Sequence, residues 1–148
     1  MAHYLTDFVV GDSFETGAIA VDESAALEFA RAYDPQPFHL DRDAAASSIF
    51  GGLTVSGWLT AALTMRLVVD SGILRETGIV GTGIDDLRWL AAVRPGDTLR
   101  VRGEVVGTQP WSDGRRGTLR VKLLTLNQDG VVVMSQIANL LLPVSGAS

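Results

Sequence analysis

Apolar residues recur at two different spacings along this chain, helical in the first half and alternating in the second. Between residues 24 and 33 they recur three or four positions apart, which predicts an amphipathic helix over Ser24–Tyr33, capped from residue 22. The segment Phe8–Val21 alternates weakly and is predicted as a weak strand that leads into this helix. A short second helix is predicted after Asp41 or Asp43 and ends before the two glycines at 51 and 52.

The third and principal helix is predicted over Val55–Val69, beginning at Ser56-Gly57 and ending near Gly72. Apolar residues occupy almost every side of this segment, so that little polar face remains. A helix of this kind is typical of the interior of a protein, and we expect it to be buried.

After Gly72 the apolar residues alternate with polar ones, which predicts strands. The strands are predicted over residues 79–89, 98–106, 116–126 and 131–142. Turn sequences at 112–114 and 127–130 indicate antiparallel hairpins, and a further turn at 94–97 precedes the strand at 98–106. Four strands and one apolar helix predict an α+β fold in which a curved antiparallel sheet wraps around the central helix.

Length and composition indicate a single domain that associates with a second subunit. A chain of 148 residues without repeats is expected to form a single domain over residues 1–148. Hydrophobic residues make up 47% of the sequence, and 16 residues are glycine. This much apolar surface in a small domain indicates that a second subunit covers part of it.

The residue types present exclude several kinds of site. The chain has no cysteine, which excludes disulfides, a thiol nucleophile and a thiolate metal site. Its two histidines, His3 and His39, are too few for a histidine-rich metal centre. We therefore expect the chain to use neither a metal nor another cofactor.

Charge and hydropathy bear on partners and location. The net charge is −5 and the arginines are scattered, whereas a nucleic-acid surface needs a basic patch with interleaved aromatic residues. Residues 1–7 lack the order of a signal peptide, and the apolar run 58–69 is too short to span a bilayer. We expect a cytoplasmic protein with no nucleic-acid or membrane partner.

Candidate chemistry begins at the segment Asp34–His39, where Pro35 and Pro37 predict a stiff extended loop. A carboxylate accepts hydrogen bonds and a neutral imidazole both donates and accepts, so Asp34 and His39 together can hold a water and move its protons. Each residue alone is more often structural, because carboxylates are common before proline and histidines are common in loops. Taken together they favour a site about as strongly as a structural turn.

The start of the principal helix has two interpretations. Ser56 suits a helix cap, and Gly57 suits close packing. Alternatively, the first free N–H of the helix, at Gly57, stabilises a developing oxyanion. A Ser56–His39–Asp34 nucleophilic triad is disfavoured because the chain lacks a Gly-x-Ser-x-Gly elbow.

The arginines are interpreted as residues of solvated strands and turns. This group contains Arg88, Arg94 and the pair at 115 and 116. A minor alternative for any one of them is a contact with a phosphate at the rim of a site.

These residues resemble a known family. The run Asp34–Asp41, the alanines at 44 and 45, and Val55-Ser56-Gly57 ahead of an apolar helix are similar to the MaoC-like (R)-specific enoyl-CoA hydratases, also called hydratase 2. The turn at 94–97 also looks like the turn those proteins place before their third strand. The resemblance implies a hotdog fold, a homodimer, and syn addition of water to a trans-2-enoyl-CoA thioester, or the reverse reaction.

The resemblance also implies roles for individual residues. Asp34 and His39 would hold and activate the water and protonate the α-carbon, and the Gly57 N–H would bind the thioester oxygen. Ser56 would lie beside the substrate, although the family usually has His there and Asn at the position of Gln36. The alternatives are a hotdog acyl-CoA thioesterase, or a non-catalytic module that binds acyl-CoA or lipid.

Overall fold

In a computed structural model, which describes residues 4–146, five antiparallel strands form one sheet in the order β1-β3-β4-β5-β2. The strands are β1 Ser13–Ala20, β2 Val80–Trp89, β3 Thr98–Pro110, β4 Arg116–Leu126 and β5 Val132–Pro143. The helices are α1 Glu23–Tyr33, α2 Pro37–Leu40, α3 Arg42–Ala46 and α4 Gly57–Asp70, preceded by one 3₁₀ turn at Leu5–Asp7. The predicted α+β class, with one principal helix and an antiparallel sheet, is confirmed.

The long strands β3, β4 and β5 carry the core because alternate residues face inward. On β3 and β4 these are Leu99, Val101, Val105, Leu119, Val121 and Leu123, all buried. Tight turns at 111–114 and 127–130 join the strands, with Gly114 and Gly130 at positive φ. The hairpins predicted from these turn sequences are therefore confirmed.

The prediction of four strands with a weak N-terminal one is wrong, because β1 is a full strand of the sheet. It pairs with β3 along its length, with a register shift between Glu15 and Ala18. At this shift the Thr16 hydroxyl accepts a hydrogen bond from the Val101 N–H at 2.9 Å. A bulge of this kind interrupts the period-two alternation by which a strand is recognised in sequence.

Helix α4 is half exposed in the single chain, so the prediction of a helix buried on every side is wrong. Its buried side carries two threonines, Thr60 and Thr64, together with Leu67 and Val68. On the opposite side Trp58 is 58% exposed, and Met65 and Val69 are also exposed. The apolar residues of α4 therefore form two surfaces. One packs against the sheet, and the other is exposed.

A hydrogen bond between buried hydroxyls fixes α4 on the sheet. The Thr64 hydroxyl donates to the Thr60 carbonyl at 2.8 Å and lies 2.6 Å from the Thr125 hydroxyl on β4. Because Thr64 Oγ1 gives its one proton to Thr60, the Thr125 hydroxyl is the donor between the two side chains. Helix and sheet are thus joined at one defined position along α4.

Other features of α4 agree with expectation. Gly72 follows its end at a φ of +78° and donates its N–H to the Val69 carbonyl, as predicted for a glycine that terminates a helix. No helix within residues 4–146 is both long and apolar enough to cross a bilayer.

Replacing Thr64 with Val should destabilise the fold by about 1–3 kcal/mol, because the buried Thr125 hydroxyl loses its partner. The double variant Thr64→Val/Thr125→Val removes both hydroxyls and should cost less than the sum of the two single changes. Urea unfolding of the four proteins measures this. Strictly additive losses would show that the hydroxyl pair contributes nothing.

Candidate active site

Asp34 and His39 are brought together by two short helices. The Asp34 N–H caps the end of α1 by donating to the Ala30 carbonyl. The next segment is extended only as far as Gln36, and Pro37 then begins the single turn α2. The prediction of an extended loop over the whole segment is therefore wrong, since proline suits the first position of a helix, where its missing N–H is not needed.

This single turn directs His39 inward, where it is 7% exposed. His39 Nε2 lies 3.3 Å from Asp34 Oδ2. His39 Nδ1 lies 2.8 Å from the Thr54 carbonyl, which accepts only, so Nδ1 carries a proton. In the neutral imidazole Nε2 is then an acceptor, and two acceptors lie side by side, which suits a water that donates to both.

The Asp34 carboxylate is held by two further side chains. Gln36 Nε2 donates to Oδ1 at 2.6 Å, and the Ser56 hydroxyl donates to Oδ2 at 2.7 Å. Burial raises the pKa of Asp34, but the hydrogen bonds from Gln36 and Ser56 and the proximity of His39 together lower that pKa below its ordinary value. Asp34 is therefore a carboxylate at neutral pH.

Ser56 is the N-cap of α4, as predicted, because its hydroxyl oxygen accepts from the Trp58 N–H at 3.3 Å. Its own proton goes to Asp34 and not to His39, which is not the order of a Ser–His–Asp triad. The residue is 1% exposed and lies behind Asp34. Ser56 therefore orients the Asp34 carboxylate, and its predicted place beside a substrate stays a prediction.

Gly57 is the first residue of α4, and its N–H has no acceptor among residues 4–146. Trp89 covers the residue from β2, and its indole N–H donates to the Gly57 carbonyl at 2.8 Å. A Cβ at position 57 would lie 2.6 Å from the indole nitrogen of Trp89, so any larger residue would force the Trp89 ring to move. The helix thus presents a free backbone donor, at the positive end of its dipole, to the adjacent space.

Asp34, His39 and Gly57 line one cavity of about 510 Å³. Its other walls are mainly apolar and include Phe38, Phe50, Val55, Trp58, Trp89 and Val93. Apolar walls with a few convergent polar groups are the usual make-up of a small-molecule site. The three residues predicted from sequence thus share one space, with an acid/base pair and an N–H donor.

Residues that sequence reasoning missed hold this site together. The Thr54 N–H donates to the Phe38 carbonyl at 3.1 Å, and the Thr54 carbonyl accepts from His39. Trp89 was assigned to a strand but not to the site. Neither contact has a local signal in the sequence, because one uses the backbone carbonyl of Thr54 and the other joins Trp89 to Gly57, 32 residues away.

Arg94 is a structural residue, and its interpretation as a solvated turn arginine is wrong. Its guanidinium donates to the Leu53 carbonyl at 3.2 Å and to the Phe50 carbonyl at 2.6 Å. These bonds fix the loop that carries Phe50 and leads to Thr54. Arg94 therefore supports the cavity wall from behind.

Within residues 4–146 no group of three His, Asp or Glu side chains is placed to hold a metal ion. His3 lies outside the described residues.

Comparison with known proteins identifies the family. The family model described as the MaoC-like domain matches residues 7–127. The chain belongs to the MaoC-like family. Its fold is correspondingly the hotdog fold, as the sequence resemblance implied.

Three relatives illustrate the range of this MaoC-like family. The crystal structure of a MaoC-like dehydratase from Rhodospirillum rubrum superposes on this chain with a TM-score of 0.93 and 41% sequence identity. The superposition covers 99% of this chain and 100% of the dehydratase chain. The uncharacterized protein YdeM of Bacillus subtilis is 33% identical over 129 residues, 87% of this chain and 91% of YdeM. The R-hydratase PhaJ1 of Pseudomonas aeruginosa is 27% identical, with 98% and 92% covered and a TM-score of 0.73.

The lowered pKa of Asp34 predicts the form of acid unfolding. A carboxylate with a folded pKa below 3.8 stabilises the fold fully above its unfolded pKa, and this stabilisation is lost as pH falls through the folded pKa. Between about pH 5 and pH 2, the free energy of unfolding should therefore fall more steeply for the wild type than for Asp34→Asn. Urea titrations across that range measure both slopes, and parallel curves would contradict the assignment.

Proposed function

We propose that this protein is a hydratase/dehydratase of acyl-CoA thioesters, catalysing reversible syn hydration of a trans-2-enoyl-CoA to the (R)-3-hydroxyacyl-CoA. The observation that carries the proposal is the acid/base pair Asp34–His39 sharing a cavity with the free N–H of Gly57. The family membership supports it, as does the likeness to an R-hydratase.

The thioester oxygen binds the Gly57 N–H. Addition of water to the β-carbon moves negative charge onto this oxygen, so a fixed donor stabilises the enolate-like transition state more than the ground state. Removing one such donor costs about 2.7–4 kcal/mol in a well-studied protease, which indicates the size of the effect. The apolar walls exclude bulk water and strengthen this interaction.

The water donates one hydrogen bond to Asp34 and one to His39 Nε2. As its oxygen attacks the β-carbon, His39 takes a proton and becomes an imidazolium, which the adjacent Asp34 carboxylate stabilises. The imidazolium then returns this proton to the α-carbon, and the enolate collapses to the thioester. Because the same imidazole acts on one face of the substrate, hydroxyl and hydrogen add syn.

A second copy of the chain covers the exposed apolar surface of α4 and β2. The surface consists of Trp58, Met65, Val69, Val80, Ile84 and Trp89. Strand β2 lies at the edge of the sheet, where its unpaired backbone groups invite pairing with another strand. Burying such a surface is typical of a homodimer.

Asp34→Asn and His39→Ala should each lower the rate of crotonyl-CoA hydration by about 10²–10⁴ or more, because His39 takes the water proton and Asp34 holds the water and stabilises the imidazolium. Loss of absorbance at the enoyl band measures hydration, and circular dichroism checks the fold. Asp129→Asn, a change at an exposed turn carboxylate, is the matched control.

Unchanged turnover in either site variant would contradict the proposal. Release of free CoA thiol without hydration would instead identify a thioesterase. Tight binding of crotonyl-CoA with no absorbance change would identify a binding module.

Ile84→Glu should shift the protein toward monomer, because it places a charge on the β2 surface where the side chain is 53% exposed. Val10→Glu alters an equally apolar exposed residue outside that surface and should leave the dimer intact. Sedimentation equilibrium measures both. A monomeric wild type, or equal effects of the two changes, would contradict the dimer.

A further inference from the structure

A second cavity, of about 380 Å³, lies between α4 and the sheet. Its walls come from α4, β2, β4 and β5 and include Ala61, Met65, Ile84, Leu87, Leu123 and Leu140. None of its described lining residues carries a charge. The catalytic residues do not touch this space.

Gln136 carries the one side-chain amide among the described lining residues. It faces inward on β5 between the buried Met134 and Ala138, and it is 7% exposed. It is paired across the sheet with Leu123. An inward position on such a strand ordinarily takes an apolar residue, so a glutamine here requires an explanation.

The side-chain amide of Gln136 has no hydrogen-bond partner within residues 4–146. The two threonines of the cavity are by contrast hydrogen-bonded: Thr64 to Thr60 and Thr125, and Thr82 to the Asn139 carbonyl. A buried amide without a partner is costly, and native proteins keep one chiefly where a ligand or water completes it. The amide is therefore available to a polar atom of a bound molecule.

The two cavities are neighbours along α4. Trp58 lines both, Gly57 and Thr60 line the first, and Ala61 and Thr64 in the next turn line the second. Trp58 is thus the residue that the two cavities share.

We propose that the acyl group of the substrate extends past Trp58 into this second cavity and carries an uncharged polar group, a hydroxyl or a carbonyl, that hydrogen-bonds to Gln136. This inference rests on the proposed function and specifies its substrate class. The group is uncharged because the cavity offers no counter-ion, and an ionised group would lose its hydration without compensation. An amide both donates and accepts, so it serves either group.

The test compares two trans-2-enoyl-CoA substrates of equal chain length, one with a hydroxyl near the far end and one with only methylenes there. The wild type should favour the hydroxylated substrate by about tenfold or more in kcat/KM, since the plain chain leaves the amide unpaired. Gln136→Met, similar in size and apolar, should abolish or reverse this preference. Gln109→Met, a change at an exposed glutamine, should keep it.

Crotonyl-CoA, too short to reach Gln136, separates this inference from the proposed function. If Gln136→Met hydrates crotonyl-CoA normally and shows the wild-type preference between the long substrates, the inference is overturned while the function stands. If the wild type hydrates no enoyl-CoA, the proposed function itself fails. A change in dimer dissociation by sedimentation, with no change in preference, would assign the amide to the subunit contact and likewise overturn the inference.

Discussion

The geometry of the candidate active site depends on the placement of His39 and Asp34 at the amino end of α4. Two hydrogen bonds set it: His39 Nδ1 donates to the Thr54 carbonyl, and Ser56 donates to Asp34. Thr54 and Ser56 are neighbours in the segment that enters the helix, so one piece of backbone fixes the imidazole, the carboxylate and the N–H of Gly57. The same helix start positions all three groups. Small movements elsewhere in the fold therefore leave the distances between them unchanged.

Gln36 and Ser56, at which the sequence resemblance implies a departure from the family pattern, both contact Asp34. Gln36 donates to one carboxylate oxygen and Ser56 to the other. These two hydrogen bonds lower the pKa of Asp34 despite its partial burial. Gln36 and Ser56 therefore hold the carboxylate tightly, which suits a group that stabilises an imidazolium and does not itself exchange protons.

Local chemistry was predictable from sequence, and contacts between distant segments were not. The spacing of Asp34 and His39, the cap at Ser56 and the glycine at 57 follow from residue types and short spacings. The Thr54 carbonyl has no sequence signature, and Trp89 reaches Gly57 only through the fold. The errors have the same origin: the pattern of α4 could not distinguish an inward face from an outward apolar one, and the two prolines favoured an extended loop where Pro37 begins a helical turn.

The protonation of His39 tests the account most directly, because the proposed base is Nε2. With ¹⁵N-labelled protein, the imidazole nitrogen shifts distinguish the two neutral forms. We predict a proton on Nδ1, shared with the Thr54 carbonyl, and an unprotonated Nε2 facing Asp34. A neutral His39 protonated on Nε2 would leave no base beside the water and would contradict the mechanism.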